Sequence, residues 1–156
     1  MPAMERSLPR RPAIEDRHNG LAYALWLPND PHEQPPQTLR PNHPGVVIVH
    51  GAGSRKENHA DFARLAAASG WAALTFDLPG HGDSDGEMSG AAVADVLSMV
   101  QLLAARGEVD ARRVAVRGSS LGGFLAICAA STGPEVAGVI AICPASEDHL
   151  ARGVRQ

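Results

Sequence analysis

The chain has 156 residues, 44% hydrophobic and 20% charged, with a formal net charge of −3. That suffices for one domain with a core of its own and speaks against general disorder. Its 14 lysines and arginines are spread along the chain, so neither a nucleic acid nor a membrane surface is expected as a partner. No apolar run reaches the length of a membrane span. No signal segment follows the arginines near the N-terminus, so a cytoplasmic location is expected.

Residues 1–12 combine prolines and arginines without any period and read as a flexible leader; residues 13–156 read as a single domain. Two strand-like runs, 14–17 and 21–27, flank His18-Asn19-Gly20, and Asn-Gly between such runs predicts a hairpin. In the second run Leu21, Tyr23, Leu25 and Leu27 alternate with Ala22, Ala24 and Trp26. Residues 28–44 are rich in proline and polar groups and read as a surface loop.

Val46-Val47-Ile48-Val49 is a continuous apolar run, as in a strand buried on both faces of a parallel sheet. It ends in His50-Gly51-Ala52-Gly53-Ser54. A helix should follow Asn58, with Asp61 as the acid of a capping box, one face made of Phe62, Leu65, Ala66 and Ser69, and Gly70 as its stop. Residues 71–76 supply the next strand, and 77–86 form a loop dense in glycine and aspartate. Val93, Val96, Leu97, Val100, Leu103 and Ala104 share a stripe that predicts a helix over 91–106. A strand over 113–117, a helix over 120–131, a break at Gly133-Pro134 and a strand over 136–143 complete the pattern. Cys128 falls in the last helix and Cys143 at the end of the last strand, where buried reduced thiols are expected.

Strands and helices thus alternate from Val46 onward. The fold class that follows is α/β: a mostly parallel sheet with helices on both faces, begun by an antiparallel hairpin. Ligands of such sheets sit at the carboxyl ends of the strands, where the 50–54 loop, the 77–86 loop and Ser120 converge.

Gly118, Ser120 and Gly122 fill the G-x-S-x-G pattern of a nucleophile elbow between a strand and a helix. A serine at such a tip is held in a strained backbone conformation, and residues two before and two after crowd it, so both are glycine. Acyl transfer also needs donors for the oxyanion of the tetrahedral intermediate. The N–H of Leu121 and that of Ala52 or Gly53 could supply them. A phosphate-binding glycine loop is disfavoured, because neither G-x-G-x-x-G nor a P-loop pattern is present.

These three segments together, His50-Gly51-Ala52-Gly53-Ser54, Asp77-Leu78-Pro79-Gly80-His81-Gly82-Asp83-Ser84 and Gly118-Ser119-Ser120-Leu121-Gly122-Gly123, make residues 14–145 resemble the α/β-hydrolase superfamily. The similarity is greatest to its small esterase, thioesterase and serine-peptidase-like members. It implies Ser120 as nucleophile, an oxyanion hole at Ala52 and Leu121, an acyl ester or thioester substrate, and no cofactor or metal. It makes His50 a structural residue of the oxyanion loop and puts His81 in a turn near the site, while Asp77, Asp83 and Asp85 read as turn-forming and loop-capping residues.

Hydrolases of this fold bring their acid and histidine after the serine. After the last strand there remain Glu147, Asp148 and His149; Asp148 and His149 are the candidates, and as chain neighbours they cannot easily form an acid–imidazole relay. The chain therefore resembles the front part of such an enzyme. The other reading is a non-catalytic α/β-hydrolase-like binding module. The 136–143 strand should form an unpaired apolar edge that invites self-association.

Overall fold

The computed structural model describes residues 8–28 and 43–148. Six strands form one sheet in the order β1-β2-β4-β3-β5-β6. They are β1 (Ile14–His18), β2 (Leu21–Trp26), β3 (His43–Val49), β4 (Ala72–Phe76), β5 (Val109–Ser119) and β6 (Gly138–Ile142). β1, β2 and β4 pair antiparallel; β4, β3, β5 and β6 run parallel. The expected α/β class holds, with helices α1 (Ala60–Ala68), α2 (Ala92–Ala104) and α3 (Leu121–Thr132) connecting the strands.

The hairpin turns at Asn19 (φ 51°) and Gly20 (φ 80°), two positive φ values in succession, which is why Asn-Gly stands there. All six residues of β2 are buried, so its alternation separates two covered faces rather than an inside from an outside. Leu21, Tyr23 and Leu25 join Val47, Val49, Leu74, Phe76, Val114 and Val116 beneath α2 and α3. Trp26, Val46, Ile48 and Ala73 meet Ala63 and Ala67 of α1 on the other face.

Several expectations are corrected. No side chain caps α1, which is entered through a 3-10 turn, Lys56–His59. Asn58 lies in that turn and its amide donates to Ser54 Oγ, while Asp61 pairs with Arg64, so the capping box does not form. α1 buries Ala63 and Ala67, and Leu65 is 55% exposed. Phe62, Leu65, Ala66 and Ser69 do share one face, as expected, and it lines an open groove of about 260 Å³ with Trp71 and Ile140. Cys128 is half-buried and Cys143 exposed, because β6 stops at Ile142 and Cys143 turns away at φ 43°. β5 begins earlier than expected, at Val109, and β3 at His43.

Of the expected leader, residues 1–7 lie outside the described residues; Pro9 is buried, and its carbonyl accepts from Arg64 Nε at 2.8 Å. Most of the proline-rich stretch, 29–42, also lies outside the described residues.

Candidate active site

The sheet register brings three loops to one level. Val49 stands opposite Phe76 on one side and Gly118 on the other, so His50, Asp77 and Ser119 leave the strand ends together.

Ser120 follows β5 with φ 52° and ψ −118° and stands exposed at the head of α3. This positive φ costs a non-glycine residue on the order of 1–3 kcal/mol, so the surroundings must impose it. They do so through the backbone. Ser120 N–H donates to Ile142 O at 3.0 Å, and Ser120 O accepts from Phe124 N–H at 3.1 Å and Ala145 N–H at 3.0 Å. A Cβ on Gly118 would overlap the Gly122 carbonyl, and one on Gly122 would overlap the Val49 carbonyl; the two glycines let α3 start directly over the strand ends. The Ser120 hydroxyl has no hydrogen-bond partner among the described residues.

Gly51 runs beside the serine: a Cβ there would lie 3.4 Å from Ser120 Cβ. In the loop that follows, Gly53 N–H donates to His81 Nε2 at 3.3 Å and Ser54 N–H to Gly51 O at 3.2 Å. Ala52 N–H makes no such bond among the described residues. Leu121 N–H, in the first turn of α3, has no preceding helical turn to bond to. Of the alternatives Ala52 and Gly53, the second is occupied.

Both histidines near the site are engaged. His50 is fully buried; its Nε2 accepts the Leu78 N–H at 2.9 Å, which requires Nδ1 to carry the proton it gives to Gly51 O at 2.7 Å. Burial pushes this imidazole below its ordinary value. His81 uses Nδ1 on Pro79 O at 3.0 Å and Nε2 on Gly53. The two rings lie 5.1 Å apart. Neither ring has a nitrogen left for the Ser120 proton. Asp148 is exposed, with no contact to Ser120 among the described residues, and His149 lies outside them.

Asp77 is fully buried and holds the 77–86 loop in place. Its carboxylate accepts from Lys56 N–H at 2.7 Å, Lys56 Nζ at 2.9 Å and Asp83 N–H at 2.9 Å. Ser84 Oγ donates to Asp77 O at 2.6 Å and accepts from Ala22 N–H at 2.8 Å. Asp85 is exposed and pairs with Arg17 at 3.3 Å, which makes it a surface tie.

Lys56 was missed from sequence. Its ammonium lies among Glu57, Asp77 and Asp83 at 2.8, 2.9 and 2.6 Å. Burial alone would lower this group, but the bonds to Asp83, Glu57 and Asp77 outweigh it and hold it above its ordinary value. These carboxylates could together hold a metal ion, but the ammonium already stands among them. The available signal was that Lys56 is the only lysine in a chain otherwise served by arginine.

This architecture is that of the α/β-hydrolases. A family model described as Serine aminopeptidase, S33, matches residues 40–155, and the chain belongs to that family. It is 33% identical over 94 residues to an uncharacterized 31.7 kDa protein of the traX-finO intergenic region of Escherichia coli, covering 57% of this chain and 33% of that protein. To the 2-hydroxy-6-oxononadienedioate/2-hydroxy-6-oxononatrienedioate hydrolase of Cupriavidus pinatubonensis it is 32% identical over 93 residues, 58% of this chain and 32% of the other. Among solved structures, an acetyl xylan esterase from Paenibacillus sp. R4 superposes with a TM-score of 0.70 at 23% identity, over 86% of this chain and 48% of that one. The Paleococcus ferrophilus monoacylglycerol lipase gives 0.61 at 27% identity, over 80% and 43%. The chain thus spans about a third of the curated relatives it matches and less than half of these structures. No helix among the described residues is long and apolar enough to cross a membrane.

Proposed function

We propose that this chain carries the nucleophile and oxyanion hole of a serine hydrolase acting on carboxylic esters or thioesters. The observation that supports it most is Ser120, exposed at φ 52° between two glycines that admit no side chain. Ser120 Oγ attacks the acyl carbon and its proton passes to a base. The oxyanion takes the N–H groups of Leu121 and Ala52, and collapse expels the alcohol or thiol, leaving an acyl-enzyme that water cleaves. The base and its acid come from outside the described residues or from another chain. An esterase and a lipase among the structural neighbours support the ester class.

The competing reading is a binding module without turnover, favoured by the Ser120 hydroxyl's having no partner among the described residues. A fluorophosphonate probe separates the two. Labelling that vanishes in Ser120→Ala is the expected result; a folded chain that takes no label sinks the enzyme reading.

The exposed thiol of Cys143 suits a reducing compartment, in keeping with a cytoplasmic location. Self-association through β6 is proposed as well, since its outer edge is unpaired among the described residues and Ile140 is 53% exposed. A purely monomeric mass by light scattering at micromolar concentration contradicts it.

A further inference from the structure

The segment 50–56 is fastened to the 77–86 loop at three places, and the three are not alike. Two are deep: His50 Nε2 holds the Leu78 N–H, and Asp77 holds both the backbone and the ammonium of Lys56. The third is at the surface, where the Gly53 N–H donates to His81 Nε2. It alone grips the loop between its ends, one residue beyond Ala52. Gly53 is also the residue best able to swing: its φ is +70°, and nothing lies within 4 Å of a Cβ built there. Without a partner, its peptide plane could rotate, and the Ala52 peptide would follow.

The chemistry of His81 suits this task. Pro79 O is an acceptor only, so Nδ1 must carry the proton, and Nε2 is then left with a lone pair for the Gly53 N–H. The tautomer is set by the bond at one nitrogen and used at the other. The ring is held in addition against His50, 5.1 Å away, and Ser84 N–H fastens the His81 carbonyl at 3.0 Å.

We propose that His81 is a positioning residue for acyl transfer: by taking the Gly53 N–H it keeps the Ala52 N–H turned toward the oxyanion at Ser120. This rests on the reading of Ser120 as nucleophile. It also gives a reason why Ala52, and not Gly53, supplies the second donor: in this arrangement the Gly53 donor is consumed in aiming its neighbour.

The test has two arms on the whole chain. In the first, the ¹⁵N-labelled protein is examined for scalar coupling between the Gly53 nitrogen and His81 Nε2 across the N–H···N bond. Coupling, with Nε2 in its unprotonated form, is expected; a protonated Nε2 without coupling overturns the proposal. In the second, fluorophosphonate labelling rates at Ser120 are compared for the wild type, His81→Phe and His81→Gln. Phe keeps a ring and loses the acceptor, and the rate should fall roughly tenfold, the scale on which small misplacement of a catalytic donor acts. Gln places an amide oxygen near the position of Nε2 and should recover most of that loss. The Leu78 amide resonance, bonded to His50, reports that each variant is folded. Equal rates in all three proteins overturn the positioning role while leaving Ser120 as nucleophile. No labelling of the wild type overturns the proposed function and the positioning role with it; the coupling then still decides whether the His81–Gly53 contact exists.

Discussion

Ser120 stands between two unlike regions. On the side of β3 and β4, the polar groups that fasten the 50–54 and 77–86 loops are satisfied: Asp77 takes three donors, both His50 nitrogens are used, and the one buried ammonium has three carboxylates. On the side of β6, Ile140 and Ile142 are 53% and 38% exposed, and Leu65 and Trp71 stand open beside the groove. There the Arg117 guanidinium stacks on Phe62 at 4.1 Å, and its buried Nη1 has no partner among the described residues. Burial lowers the Arg117 guanidinium as well. Buried donors are rarely left unpaired, and large apolar patches are rarely left open. In the first region the loop-fastening groups are paired, although Trp26 Nε1 beside β4 has no partner among the described residues; in the second, apolar side chains stand open among the described residues.

Breaking the closed side should cost far more than altering the open one. The largest effect is expected for Gly122→Ala, whose methyl would be driven into the carbonyls of Val49 and His50, where only backbone could yield. A loss of about 5 kcal/mol, or no folded protein at all, should appear in urea unfolding. Asp77→Asn keeps the shape but removes the buried charge facing Lys56, and should cost about 3 kcal/mol by the same measurement.

A smaller effect concerns pH. Burial holds His50 below its ordinary value of 6.5, and burial followed by the charge of Arg117 does the same to His59. Between 6.5 and their lower folded values the unfolded chain binds the protons and the folded chain does not. Their contribution is therefore fully present above 6.5 and is lost as the pH falls through the folded values. The slope is at most about 1.4 kcal/mol per pH unit for each ring. Urea midpoints at pH 7.5 and 5.5 should differ in that direction, and equal midpoints would contradict the neutral, buried state of His50.

The smallest effect on stability belongs to the open side. Ile140→Lys should change it by less than about 0.5 kcal/mol, yet it should shift light-scattering mass toward the monomer. A change in stability of several kcal/mol would mean that Ile140 is packed after all, and the contrast between the two regions would fail.

Much of this was legible from residue order. Asn19-Gly20 marks the hairpin because the turn needs two positive φ values, and the pair Gly118 and Gly122 marks the elbow because side chains there would occupy backbone. The run 46–49 is apolar throughout because β3 lies between β4 and β5, with cores on both faces. The start of α1 was misread: Asn58 and Asp61 have the right spacing for a capping box, but a 3-10 turn precedes the helix and each side chain found another partner. The stripe on α1 does form one face, but its place was not legible, since an apolar face reads the same whether it is buried under the chain's own sheet or lines an open groove.

What the sequence determined by itself is local: backbone geometry that only glycine or Asn-Gly can take, the alternation of strand and helix, and thereby the serine at the tip. What only the tertiary structure decided is the use of each polar group. That His50 and His81 hold loops and are not free bases, that Lys56 is the buried cation of three carboxylates, and that Ala52 rather than Gly53 has its N–H to spare all depend on partners 21 to 28 positions away along the chain or on competition for one acceptor. A hydrogen bond is set by distance and angle in space, and residue spacing carries that information only within a single element.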